Sequence, residues 1–292
     1  MKKKFFIIII LIIGLAIPVY FVFGNEKLHT SMYSGEILLI NDPAYEYGGG
    51  LVSIDAKKEK ISVLINELKE FNFVEYSKEK NKLLLTNKFG IYEYDLSSTK
   101  LMIVLEYPKE YRSGLRTGYG NAKYVPNSNS ISYIEGGNFY IFNRDTKTDT
   151  KLTKALGDYT WYKDGKSFLF CPEDWNEKIY SYNLSNNMMT FMYDGSNPEY
   201  SNDYSKNLYL KNGQTLIIHD IATNEDRTLD VLTSVGLYCF SPDDKYIIFG
   251  KYFGNGFLQK GYQIYIWDVE KNTTQRILKK SKSYSTIGFD WK

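Results

Sequence analysis

A short motif recurs six times along this chain, and its spacing constrains the fold more than any other feature of the sequence. Each copy is a strand-like segment, such as "IYIWD", that closes on Asp or Asn. The steps between successive closing residues are 40, 48, 40, 37 and 48 residues. A repeat of this length is expected of four-stranded blades arranged around a ring. The six closing residues are Asp55, Asp95, Asn143, Asn183, Asp220 and Asp268.

The closing residue of each copy predicts a tight turn. Its short side chain can accept hydrogen bonds from the backbone about two residues further on. Polar stretches such as "AKKEK" and "VEKNT" follow, and after them come apolar segments such as "ISVLI" and "LMIVL". A strand, an Asx turn and a second strand make a hairpin, which we interpret as the outer half of each blade.

The inner halves of the blades have a second pattern. "YTWYKDGKSFLFC" (159–171) and "YCFSPDDKYIIFG" (238–250) each join an aromatic-bearing strand, a turn rich in Asp, Gly or Pro, and a hydrophobic strand. Weaker copies occupy residues 73–85, 123–134 and 199–210.

The first repeat has no inner strand ahead of it, because it begins with "GEILLIND", already a second strand. The missing strand is predicted at the other end, where "IGFDWK" places Trp291 in the position of Trp161 and Phe240. The C-terminal segment would then complete the first blade and close the ring without an open sheet edge. The sequence thus predicts an all-β, six-bladed β-propeller with four-stranded blades over residues 35–292.

The best-defined repeat also resembles a known group of proteins. "CFSPDDKYIIFG" followed by "QIYIWDVEKNTTQRIL" is similar to the WD40-like (PD40-type) repeat of TolB-type six-bladed propellers and to the propeller of prolyl oligopeptidase-type enzymes. The resemblance spans residues 35–292 and is clearest in blades four and six. It implies a fold and no chemistry, because the pattern has no catalytic residues and propellers support many unrelated activities.

The N-terminus predicts a membrane anchor. Three lysines precede twenty uncharged, mostly apolar residues, 5–24. As a helix these residues would be about 30 Å long, the thickness of the hydrocarbon core of a bilayer. The basic flank favours the cytoplasm, so residues 25–34 would be a linker and the propeller would lie outside the cell membrane. The alternative is a cleaved signal peptide and a secreted protein, although the apolar region of such a peptide is usually about 7 to 15 residues.

Charge and composition exclude several classes of function. Without the three N-terminal lysines, 33 basic residues oppose 34 acidic ones, and no basic cluster with interleaved aromatic residues occurs. Nucleic acid is therefore not an expected partner.

The two histidines, His29 and His219, are too few and too far apart in sequence for a zinc site. Cys171 and Cys239 fall two blades apart, so we expect two free thiols that serve in packing. No cofactor and no metal are predicted.

Three connections are longer than a turn requires: residues 41–50, 107–121 and 251–262. The first and third join the second and third strands of the first and sixth blades, which are neighbours in the ring. We expect them to form one surface rich in Tyr, Phe and Gly that suits recognition of sugars or proteins; the alternative is that they are tolerated surface insertions. The candidate binding residues are Tyr45, Tyr47, Phe253 and Phe257, with Arg112 and Arg116 on the second connection facing carboxylates of a partner.

These features support two main hypotheses. The first is a membrane-anchored extracytoplasmic scaffold, without catalytic residues, that binds an envelope protein or a cell-wall glycan. The second is an envelope glycan lyase or hydrolase that uses carboxylates facing the channel. Its candidates occupy the aligned inner-strand position before the aromatic residue: Glu75, Glu199, Asp290 and Lys123. A third possibility is a sensory ectodomain that signals through a partner helix.

Overall fold

Six four-stranded antiparallel sheets contain all the strands of the described chain. The computed structural model describes residues 30, 32–41, 50–65, 71–87, 89–106, 120–172, 177–230, 235–253, 261–277 and 286–292. Within these ranges the strands, in chain order, are β1 (Glu36–Asn41), β2 (Leu51–Asp55), β3 (Lys60–Ile65), β4 (Phe73–Ser77), β5 (Lys82–Asn87), β6 (Gly90–Asp95), β7 (Lys100–Glu106), β8 (Gly120–Tyr124), β9 (Ser130–Glu135), β10 (Asn138–Asn143), β11 (Thr148–Lys154), β12 (Leu156–Trp161), β13 (Ser167–Cys171), β14 (Lys178–Asn183), β15 (Met188–Asp194), β16 (Ser196–Tyr200), β17 (Lys206–Lys211), β18 (Thr215–Asp220), β19 (Glu225–Asp230), β20 (Val235–Phe240), β21 (Tyr246–Phe253), β22 (Gly261–Asp268), β23 (Thr273–Arg276) and β24 (Thr286–Trp291).

The first blade joins the two ends of the propeller, as the sequence predicts. Its strand order is β24-β1-β2-β3, and the other five blades each use four consecutive strands. Trp291 pairs with Ile37, and Phe289 with Leu39. The backbone N–H of Glu36 donates to the carbonyl of Lys292 at 2.6 Å, and the N–H of Lys292 returns a bond of 2.9 Å. The prediction of a six-bladed propeller closed by its C-terminal strand is confirmed.

The Asx turns also form in all six blades. The side chain of Asp95 accepts the backbone N–H of Ser97 at 2.9 Å, and that of Asp220 accepts the N–H of Ala222 at 3.0 Å. Equivalent bonds start from the other four closing residues. The fourth residue after each closing residue has a positive φ, between 51° and 58°, which completes the turn into the outer strand. These fourth residues are Glu59, Thr99, Lys147, Asn187, Asn224 and Asn272.

The hydrophobic core lies between neighbouring blades and not on the ring axis. Between blades three and four, Phe139 stacks on Phe168 with ring centroids 4.2 Å apart, and Trp161 packs at their edge. Strand residues alternate between two faces. Each inner strand therefore sends its aromatic residue into this interblade layer and sends the residue before it towards the channel.

Antiparallel order assigns every turn to one of two faces of the ring. We call one of them the mouth face, because its turns line the channel cavity described below. It carries the turn after each inner strand and all six Asx turns. The opposite face carries the turns between second and third strands and the connections between blades. Residues 32–35 lead into β1 on the mouth face, because β1 is a second strand and runs away from that face.

No helix capable of crossing a bilayer occurs among the described residues, and the predicted anchor at 1–24 lies outside them. Cys171 and Cys239 do not form a disulfide with each other, as expected for residues in blades four and six.

Candidate functional site

A cavity of about 630 Å³ occupies the channel, and all six inner strands contribute to its wall. The side chain immediately before each aromatic residue lies on this wall. Because the strands are related by the repeat, these six positions form one ring. Its members, in blade order, are Asp290, Glu75, Lys123, Thr160, Glu199 and Cys239.

An ion pair crosses the channel. Nζ of Lys123 in blade three donates to Oε2 of Glu199 in blade five at 2.7 Å. Blade four lies between the two partners, so the pair links two blades that are not neighbours in the ring. Burial lowers the pKa of Lys123, but the charges of Glu199, Asp158 and Glu75 outweigh that effect and raise the pKa above its usual value. Lys123 therefore remains a buried cation at neutral pH.

Other members of the ring bond to the backbone of the next blade. Oδ2 of Asp290 accepts the N–H of Tyr76 at 2.5 Å, and Oε2 of Glu75 accepts the N–H of Tyr124 at 2.9 Å. Oγ1 of Thr160 accepts the N–H of Tyr200 at 3.3 Å. These bonds join blades one to two, two to three, and four to five. The wall of the cavity is thus also a seam between blades.

Burial changes the acidity of the three wall carboxyl groups. It raises the pKa of Glu199 to about 7 and that of Asp290 to about 6, although Lys123 lowers both. It raises the pKa of Glu75 well above its usual range. No described residue donates a hydrogen bond to the second oxygen of Glu75 or of Glu199. Near neutral pH the cavity therefore holds protonated and ionised carboxyl groups beside a fixed positive charge.

The described residues contain no group of three His, Cys, Asp or Glu side chains that would hold a metal ion. His219 lies in β18, away from the channel, where Nδ1 is 2.9 Å from Oδ1 of Asp226 and the ring packs 4.9 Å from that of Tyr193. Burial raises the pKa of the Cys239 thiol well above its usual range. The group therefore stays protonated, whereas a nucleophilic cysteine is a thiolate.

The structure separates the two sets of candidates that the sequence offers. Glu75, Glu199, Asp290 and Lys123 come together in the cavity. Five of the loop candidates lie outside the described residues, and for Phe253, the last residue of β21, only the backbone is described. They remain predictions. The strand ends that flank their connections all lie on the opposite face of the ring. The loop candidates are Tyr45, Tyr47, Arg112, Arg116, Phe253 and Phe257.

Three further residues of the cavity wall escaped the sequence analysis: Asp158, Tyr204 and Tyr238. Asp158 precedes Thr160 by two residues in β12, a spacing that puts two residues of a regular strand on the same face. That spacing was the available signal for Asp158, although a β-bulge between Leu156 and Tyr159 interrupts the register there. Tyr204 lies in the turn after β16, and nothing in its local sequence directs it to the channel.

Comparison with known proteins supports the fold and no more. No family model matches the chain, and no curated protein matches it. Among solved structures it is similar to TolB from Acinetobacter baumannii (20% identity, TM-score 0.70, 88% of this chain and 66% of that chain). It is also similar to a putative TolB from Agrobacterium tumefaciens (16%, 0.64, 88% and 93%) and to an oligogalacturonate lyase in complex with manganese (16%, 0.51, 86% and 75%). The chain spans about two thirds of the Acinetobacter protein. It is a six-bladed β-propeller with the TolB-like fold.

Proposed function

We propose that the protein is an extracytoplasmic binding module, anchored by residues 1–24, that takes a segment of an envelope protein into its channel cavity. The observation that carries this proposal is the cavity itself, which is large enough for several side chains and lined by hydrogen-bonding groups from every blade. Pockets of 300–1,000 Å³ are typical of ligand sites.

The charges of the wall favour a partner with a positive group. The wall has four carboxyl groups, those of Glu75, Asp158, Glu199 and Asp290, and three lysines, Lys78, Lys123 and Lys292. Nζ of Lys123 already pairs with Glu199, and Nζ of Lys292 pairs with Glu36. A lysine or arginine of a partner would replace the solvation that burial removes from these carboxylates, and it would lower the raised pKa values of Glu75, Glu199 and Asp290. A neutral wall glycan would offer hydrogen bonds without this charge compensation, so a protein segment fits better.

Photocrosslinking in the native membrane tests the proposal. A photoreactive amino acid in place of Tyr204, on the cavity wall, should form one discrete adduct, and the same amino acid at Lys211, on the opposite face, should not form it. The double variant E75Q/E199Q should lose the adduct at unchanged protein abundance. If Tyr204 forms no adduct, and Ala at Tyr45, Tyr47, Phe253 and Phe257 abolishes partner capture, the loops and not the cavity bind.

A second candidate function has one specific observation in its favour. Glu199 and Asp290 line the same cavity, and burial raises their pKa values to about 7 and about 6. General acid and base groups are most effective when their pKa values lie near the working pH. As a glycan lyase or hydrolase, the purified protein would then turn over wall polysaccharides, and E199Q and D290N would each lose this turnover. If the purified protein forms no product from wall polysaccharides, the enzyme hypothesis fails and the binding module stays the proposed function.

A further inference from the structure

We infer that the propeller is held with the mouth of its channel cavity towards the membrane, so that the cavity receives an extended juxtamembrane segment of another protein in the same bilayer. The inference rests on the membrane anchor of the proposed function. It follows from where the chain enters the folded body and from how few residues separate the predicted anchor from that point.

The chain is fixed to the propeller from Thr30 onwards. The Thr30 side chain is fully buried, and its Oγ1 donates to the carbonyl of Ala56 at 2.8 Å. Tyr33 is also buried, with its ring 4.8 Å from that of Tyr246 and 6.1 Å from that of Trp291. These contacts place the lead-in segment, Thr30 and residues 32–35, in the joint between blades one and six.

This segment and the cavity mouth lie on the same face of the ring. Ala56 belongs to the Asx turn of blade one, which is on the mouth face. The cavity wall includes Gly35 of the lead-in segment and, on the same face, turn residues of blades three, five and six: Pro126, Asn202 and Pro242. The described turn residues of the cavity wall all lie on this face. The polypeptide therefore enters the propeller on the face whose turns line the cavity.

The tether is too short for the reverse orientation. Six residue steps separate Gly24 from Thr30, which reach about 20 Å when fully extended. A strand of six residues is itself about 20 Å long. To turn the opposite face to the bilayer, the tether would have to run the whole height of the ring and would have no length left to reach the membrane.

The same distance limits what can occupy the mouth. Beside the lead-in segment, the gap between the mouth face and the bilayer is at most about 20 Å, and even a domain of 100 residues, with a radius of gyration of about 13 Å, is wider than that. An extended segment fits. A basic segment also complements Glu75, Glu199 and Asp290.

Distance to the bilayer tests the orientation. The full chain, with both native cysteines replaced by Ser, is labelled with a donor dye at a single Cys and reconstituted in vesicles that contain acceptor lipids. Lys57→Cys reports the mouth face beside the lead-in segment, and Lys163→Cys reports the mouth face across the ring, in blade four. Lys211→Cys reports the opposite face. All three lysines are exposed.

We expect stronger energy transfer from positions 57 and 163 than from 211 at the same acceptor density. Equal or stronger transfer from 211 than from 163 would overturn the orientation while leaving the anchor intact. If the protein does not float with the vesicles, the anchor itself fails, and the orientation fails with it.

The occupant is tested in the same vesicles. The probe is a synthetic single-span peptide whose exposed flank of eight residues contains four lysines, and its control has four glutamines in their place. Binding of the lysine peptide should be at least about fivefold tighter than that of the control, and E75Q should remove most of the difference. Equal binding of both peptides, or displacement of the lysine peptide by soluble wall-glycan fragments, would contradict the inference.

Discussion

Single buried charges have different roles in this propeller according to how completely they are paired. Glu93, in β6, is fully buried between blades two and three, and three donors surround its carboxylate: Nζ of Lys82 at 2.6 Å, Nη1 of Arg144 at 2.9 Å and the hydroxyl of Tyr124 at 3.0 Å. Burial alone would raise the pKa of Glu93, but the bonds from Lys82 and Arg144 hold it below its usual value. Glu93 is therefore a structural anion, whereas the channel carboxyl groups are only partly compensated.

Replacing Glu93 by Gln should lower the free energy of unfolding at pH 7 by about 2 kcal/mol, because the partly buried cations Lys82 and Arg144 would lose their buried partner. The folded pKa lies below the unfolded value, so the contribution of Glu93 is complete above about pH 4.5 and is lost as the pH falls through the folded pKa. Urea unfolding at pH 7 and pH 3.5 measures the change. The exposed Glu225→Gln is the control, and a gap between wild type and E93Q that stays constant with pH would refute the assignment.

Lys123→Met should destabilise the protein by roughly 3 kcal/mol at pH 8 and much less near pH 4. Without the ammonium group, the folded-state pKa values of Glu75, Glu199 and Asp290 rise further above the unfolded ones. Ionising these acids then opposes folding, and this penalty grows as the pH rises from about 4 towards the folded pKa values. Urea unfolding at the two pH values, beside the exposed Lys211→Met, gives the comparison; a larger loss at pH 4 would exclude this explanation.

Among the strands, β24 closes the ring, because it comes from the far end of the sequence and pairs with β1. Trp291 is 4% exposed, donates from Nε1 to the carbonyl of Ser34 at 2.8 Å, and packs at the edge of the Tyr33 ring. One residue thus joins the terminal strand to the lead-in segment. By contrast, the outer strand β15 exposes Met188, Met189 and Phe191 and contributes little to the core.

Truncating Trp291 to Ala should cost about 3–5 kcal/mol, the usual range for a large buried aromatic residue. Trp291→Phe should cost less, because the ring stays and only the Nε1 bond is lost. Met188→Ala, on the exposed outer strand, should change the unfolding free energy by less than about 0.5 kcal/mol. Denaturant unfolding of the three variants checks the order, and a Trp291→Ala loss no greater than that of Met188→Ala would mean that β24 does not close the ring.

At the scale of the whole molecule, we expect the free energy of unfolding to depend on closure of the ring more than on the position of the chain termini. Blades one and six meet through Ile37 and Leu39 on one side and Ile248, Ile264 and Ile266 on the other, an interface as apolar as those within the ring. The two termini of the propeller meet on the mouth face.

A circular permutant should therefore fold. It starts at Phe71, continues to Lys292, passes through a flexible linker of about eight residues to Thr30, and ends at Ile65. Because β24 and β1 become covalently linked, closing the first blade no longer requires distant chain ends to meet, and we expect an unfolding free energy equal to or above that of the unpermuted propeller. Calorimetry and denaturant unfolding decide the point; loss of a cooperative transition would show that the native chain ends are required.

The sequence by itself determined the blade period, the six Asx turns, the sharing of the first blade between the two termini, and the inner-strand positions that line the channel. These are consequences of local hydrogen bonding and of strand periodicity, which act over a few residues. Only the tertiary structure decided that Lys123 pairs with Glu199, 76 residues away, and that Glu93 pairs with Arg144, 51 residues away. It also decided that the turns lining the cavity lie on the face where the chain enters. Such pairings depend on how separate blades are rotated and packed around the ring, and no local pattern encodes that geometry.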